Sequence, residues 1–147
     1  MPDQHVLVNR HQRMLIGHAR SGNVAAMSSD LRHHLGRVGE NAAAAHMERL
    51  GYAIVARNHR TRFGELDLVC FGHGTLVFVE VKTRREGSGS PWDALHDLKR
   101  SQVRRMAIAW LCSVRNRPRG DLRFDAVGIV LDARGELVSL DHLEAAF

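Results

Sequence analysis

Metal-finger and disulfide signatures are missing from this 147-residue chain. Its two cysteines, Cys70 and Cys112, lie 42 positions apart and belong to no CxxC pair, so neither a zinc knuckle nor a disulfide framework is indicated. Both read as plain buried thiols. None of the ten histidines forms HExxH or HxH, which removes the common zinc-hydrolase patterns. No GxxxxGK[ST] loop occurs, so an ATP-driven motor has no support. No apolar run approaches the ~18 to 20 residues that cross a bilayer. Residues 1–30 also lack the continuous apolar centre of a secretory signal. The reading is a cytoplasmic protein with no membrane partner and no internal repeat.

What the chain does contain is enough apolar material for one core, 44% of its residues, and a net charge of +5. The distribution of that charge is more informative than its size. Residues 57–123 hold 14 Lys or Arg against 7 Asp or Glu, a local +7, while the remainder holds 7 against 9, or −2. A basic segment of this kind suits a polyanionic partner, because each neutralised phosphate releases counterions. The plainer alternative is a solubilising surface.

Residues 1–30 show no sustained period and are expected to be a flexible tail, or upstream sequence preceding a start at Met14 or Met27. The domain is expected to span 31–147. Ser28, Ser29 and Asp30 offer N-caps for a helix to about Leu50, stopped by Gly51. Leu31, Leu35, Val38, Ala42 and Ala45 make its apolar stripe. Glu40 lies opposite, among Gly36, Ala43, Ala44 and Met47, small residues that would let a sheet approach. Strands are predicted over 52–57, 64–71, 75–84 and 122–131, with a short fifth over 136–140. A helix from Asp93 or Asp97 to Val114 carries the stripe Val103, Met106, Ala107, Trp110, Leu111 and Val114. The strand–helix–strand passage over 75–131 predicts a parallel crossover on a mixed sheet.

Chemistry concentrates on the second and third strands. Val79-Glu80-Val81-Lys82-Thr83 places Glu80 and Lys82 on one face and the valines on the other. On the second strand Glu65 and Asp67 share a face, with Leu66, Leu68 and Cys70 opposite. If Gly72 pairs with Thr75 around a His73-Gly74 turn, Asp67 faces Glu80 and Glu65 faces Lys82. Two opposed carboxylates repel and call for positive charge. Lys82 is one source and a hard divalent cation is the other. Asp67, Glu80 and the Val81 backbone carbonyl could supply oxygen ligands to Mg²⁺ or Mn²⁺, with Glu40 reaching in directly or through water. Lys82 would hold a water or stabilise charge on the phosphorane, and Lys99, near the apolar stripe of its helix, is a further candidate.

Taken singly these residues are ordinary. A Glu-x-Lys on a strand is commonly a surface ion pair, and Glu40 alone would be a helix-surface acid. Gly36-Arg37-Val38-Gly39 matches a GxxG clamp but sits in a helix pattern, where close packing explains it better. Asp125 could be a further ligand, although a structural role suits it better.

The segments LGRVGENAAAAHMERLGY (35–52), GELDLVC (64–70), LVFVEVKTR (76–84) and RFDAVGI (123–129), with His142-Leu143 and Phe147, together resemble the YraN-like family. That family comprises bacterial predicted endonucleases of the PD-(D/E)xK superfamily and is similar to archaeal Holliday-junction resolvases. The resemblance implies an α/β fold with a restriction-endonuclease-like αβββαβ core, its mixed central sheet flanked by helices. It carries the acidic and lysine roles of that superfamily onto Glu40, Asp67, Glu80 and Lys82.

The expected function is therefore a Mg²⁺- or Mn²⁺-dependent DNA endonuclease, with branched or structured DNA among its candidate substrates. Arg84, Arg85, Lys99, Arg100, Arg104 and Arg105 flank the site and are the expected nucleic-acid contacts, positioning without reading sequence. The alternatives are a non-catalytic nucleic-acid-binding protein that uses the same fold as a platform, and an interaction module with a solvated charged surface. A paired cut across a junction would need two sites and hence a homodimer.

Overall fold

A computed structural model describes residues 11–15, 29–95 and 97–147. Six strands form one mixed sheet: β1 (His11–Leu15), β2 (Ala53–Thr61), β3 (Gly64–Gly72), β4 (Thr75–Arg85), β5 (Asp121–Leu131) and β6 (Leu137–Leu143), ordered β1-β6-β5-β4-β3-β2. Helix α1 (Ser29–Arg49) and helix α2 (Asp97–Ser113) complete it, with a 3-10 turn at Pro91–Ala94. The segment expected to be a tail thus contains an edge strand, His11–Leu15, antiparallel to β6. The remainder of residues 1–28 lies outside the described residues.

The valine-rich β4 is the spine of the sheet, antiparallel to β3 on one side and parallel to β5 on the other. The parallel pair is joined through α2, as a strand–helix–strand crossover requires. Each face of the sheet buries its own cluster. On the α1 side Leu35, Ala43 and Met47 meet Leu68, Cys70, Val77, Val79, Val127 and Ile129. On the α2 side Val103, Met106, Ala107 and Trp110 meet Leu66, Val69, Leu76 and Phe78.

The stripe predicted for α2 is the one that packs. That predicted for α1 is rotated, because Leu31 is 40% exposed whereas Ala43, Ala44 and Met47 are buried. The small-residue face touches the sheet, and Gly39 shows why: a methyl group there would run into the Thr83 side chain on β4. Close packing therefore accounts for this half of the GxxG pattern. Cys70 is buried as expected, but Cys112 is exposed on α2. Among the described residues no helix is long and apolar enough to cross a membrane.

Candidate functional site

The β3–β4 hairpin turns at His73-Gly74 with Gly72 opposite Thr75, the register predicted from the turn chemistry. The ladder runs back to Leu68 opposite Val79 and ends there, so the expected backbone pairings of Asp67 with Glu80 and of Glu65 with Lys82 do not form. Asp67 replaces a backbone acceptor with its own carboxylate, whose Oδ2 accepts the Val81 N–H at 2.7 Å. On the other side of β3, Arg57 pairs with Leu68 and His59 with Leu66, and between them Asn58 adopts a left-handed backbone (φ 49°) beside Asp67.

This irregularity breaks the alternation expected for β3. Leu66 packs on the α2 side while Leu68 packs on the α1 side, so the predicted common face of Leu66, Leu68 and Cys70 does not form. The cause is local. A strand keeps its side-chain alternation only while successive residues keep extended ladder geometry.

Glu80 is 4% exposed, and its Oε1 pairs with Lys82 Nζ at 2.9 Å. Glu65, expected opposite Lys82, instead meets Arg60 Nε at 3.2 Å across the β2–β3 pair. Lys82 is thereby committed to Glu80. Burial, followed by the charge of Glu80, pushes the Asp67 carboxyl up to about 7, with smaller opposing help from the Val81 N–H and Lys82. Glu40 adds a smaller rise, so its charge is felt at Asp67. Glu40 is itself raised, first by burial and then by Glu65, against a stabilising side-chain hydrogen bond with Asn58.

Among the described residues, no three His, Cys, Asp or Glu side chains are gathered so as to hold a metal ion. The centre consists of two carboxylates, with Glu40 as an outlying charge. Its donor chemistry nonetheless suits a hard cation: two carboxylates and the adjoining Val81 carbonyl are all oxygen donors. Burial first, and then the neighbouring Glu80, is what raises Asp67.

Trp92 borders this centre. Gly128 is the β5 partner of Lys82, and a methyl group on Gly128 would strike the Trp92 ring and Pro91. Ser90 holds the turn in place through a reciprocal cap with Asp93. Arg84 and Arg85 follow Lys82 on β4 and are half-buried. Arg100, Arg104 and Arg105 are exposed on α2, with the Arg104 guanidinium over the Phe124 ring at 5.8 Å. The Lys99 side chain lies outside the described residues.

The sequence reading missed a buried polar network on the α1 side. Asp125, fully buried, accepts two hydrogen bonds from Arg123 at 2.9 and 2.8 Å, one from His142 Nε2 at 2.9 Å and one from the Ala145 N–H at 3.0 Å. His142 Nδ1 lies 3.1 Å from His46 Nε2. With the His142 Nε2–H donating to Asp125, Nδ1 accepts from the His46 Nε2–H. Burial acts to raise Asp125, but the bonds from His142 and Arg123 hold it below the usual carboxylate range. Asp125 pairs with Val79, whose side chain belongs to the α1-side cluster, so it is a structural centre and not a ligand beside Glu80. An Arg-x-Asp flanked by apolar residues was the available signal. Its partners His46 and His142, 96 residues apart, gave none.

The fold and centre define a mixed α/β protein with a nuclease-like core. Residues 39–129 match the model of the uncharacterised protein family UPF0102. The chain is 44% identical over 114 residues to a UPF0102 protein of Nocardia farcinica, covering 77% of this chain and 88% of that one. It is 45% identical over 111 residues to one of Corynebacterium efficiens, covering 75% and 88%. It is 39% identical over 120 residues to one of Pelotomaculum thermopropionicum, covering 81% and 99%. The chain belongs to the UPF0102 family, the YraN-like group that its motifs resemble.

Proposed function

We propose that this chain is a Mg²⁺- or Mn²⁺-dependent endonuclease that hydrolyses phosphodiester bonds in DNA, branched or structured DNA included. The observation that carries the reading is the fork between β3 and β4. There the Asp67 carboxylate accepts the Val81 N–H, next in sequence to a buried Glu80, with Lys82 held 2.9 Å from the Glu80 carboxylate. Two carboxylates brought together under burial are costly, and arrangements of that kind cluster at functional sites.

In this reading Asp67, Glu80 and the Val81 carbonyl would hold the cation, with Glu40 contributing directly or through a water. The cation would supply Lewis acidity at the scissile phosphate and a lowered pKa for the attacking water. Lys82, paired with Glu80 at 2.9 Å, would stabilise the charge that develops on the phosphoryl oxygens. Arg84, Arg85, Arg100, Arg104 and Arg105 would hold the flanking phosphates, with Lys99 at the start of α2.

The test is a panel of linear, flapped and four-way DNA incubated with Mg²⁺ or Mn²⁺, comparing wild type with Glu80→Ala and Lys82→Ala. Cleavage is expected in wild type and should fall by roughly 10²- to 10³-fold in either variant. No cleavage of any substrate, or equal cleavage by all three proteins, defeats the reading. Metal-independent DNA binding without cleavage would favour a non-catalytic platform.

A further inference from the structure

Beyond the acidic centre, the described residues contain a cleft of about 450 Å³ between the β2–β3 turn and the outer face of α2. One wall carries Arg60, Arg62 and Phe63, and the other carries Ile108, Ala109 and Cys112. Ile108 is 60% exposed on the outer face of α2, where it continues the apolar wall of the cleft with Ala109. The Arg62 guanidinium lies over the Phe63 ring at 4.7 Å. The side chain of Arg60 is 89% exposed even though it touches Glu65. Gln102 fixes the turn to α2 by donating to the Phe63 carbonyl at 2.9 Å, so the two walls are tied together.

We propose that this cleft receives an unpaired base from a single-stranded stretch of the DNA cleaved at Asp67 and Glu80. The inference rests on the nuclease reading and specifies its substrate: duplex DNA carrying an unpaired tail or branch. Three features select that occupant. The cleft is apolar and rimmed by arginine, which matches a flat ring attached to a phosphate backbone. It lies within one strand length of the acidic centre, since Phe63, which lines it, is four residues from Asp67, or ~13 Å along the strand. It also lies on the α2 side, as does Glu80 by alternation from Phe78. A paired base could not enter, because its faces are already covered by stacking in the duplex.

The experiment measures fluorescence anisotropy of blunt duplex and of the same duplex with an oligo-dT tail, in chelator so that nothing is cut. The proteins are wild type, Ile108→Glu and Phe63→Ala. Wild type should bind the tailed duplex more tightly than the blunt one. Both variants should lose that preference, weakening tailed binding by roughly 5- to 100-fold while blunt binding changes little. Ile108 is a surface residue, so Ile108→Glu keeps the test valid if Phe63→Ala unfolds. Equal wild-type affinity for the two DNAs, or a preference that survives Ile108→Glu, overturns the cleft assignment while leaving the Glu80 and Lys82 cleavage result intact. A wild-type dimer that Ile108→Glu dissociates would also overturn it, assigning the cleft to a contact between copies.

Discussion

Asp67 and Asp125 illustrate opposite treatments of a carboxylate on neighbouring parts of one sheet. Asp125 receives four hydrogen bonds and is held ionised, whereas Asp67 receives one from the backbone and is pushed up to about 7 by burial and Glu80. The first pattern belongs to a structural support and the second to a site with unspent charge. The support has its own acid limit. Burial, and then the neighbouring His142, lower His46 to about 4 from 6.5. The unfolded chain therefore takes up this proton as pH falls through 6.5, while the folded chain resists until about 4. His46 contributes no penalty above pH 6.5, and stability drains away across the window down to 4. His46→Gln, which keeps a donor toward His142, should flatten that decline by on the order of 1–3 kcal/mol, read from urea midpoints across the pH series. An unchanged slope would assign the acid sensitivity elsewhere.

At the scale of elements, the two glycines of α1 serve different ends. Gly36 has nothing within 4 Å of where a Cβ would sit, while a Cβ on Gly39 would collide with Thr83. Gly36→Ala should stabilise the protein by about 0.5–1 kcal/mol through helix propensity alone. Gly39→Ala should cost about 1–3 kcal/mol by forcing α1 off β4. Chemical denaturation of the pair separates the two roles, and equal effects would contradict the packing.

The same scale shows what could be read in advance. Period two exposed Glu80 and Lys82 because they interrupt an apolar strand, and a short Gly-containing turn fixed the β3–β4 register. Leu66 could not be placed, because its face depends on the left-handed Asn58 in another strand and on a side chain acting as a ladder acceptor. Helix rotation failed for a related reason: alanine and glycine look neutral on a helical wheel yet decide which side a sheet can approach. The network of His46, Asp125 and His142 joins three elements and leaves no periodic trace in any of them.

For the whole molecule, the excess of positive charge over residues 57–123 is divided: Arg84, Arg85, Arg100, Arg104 and Arg105 lie on β4 and α2, whereas Arg115, Arg117 and Arg119 precede Asp121 at the His73-Gly74 end of the sheet. Under the nuclease reading, the five arginines assigned to phosphates set the salt dependence. If about four to five phosphates are neutralised, log affinity should fall with log salt at a slope near −4, by counterion release of ~0.9 per contact. Titrations over a range of salt concentrations measure it. Arg104→Gln should make the slope shallower by about one, and a flat salt response would remove DNA as the partner.

The hydrogen bond from Val81 to Asp67 has a consequence of its own. A strand amide is ordinarily tied to another backbone and is insensitive to chemistry at a side chain. The Val81 amide instead reports directly on the ionisation and occupancy of the site, so its NMR resonance is a built-in indicator there. Fold and site share this bond: the acidic group that ends the strand pairing also keeps the site open, and no sequence that repaired the ladder could retain the fork.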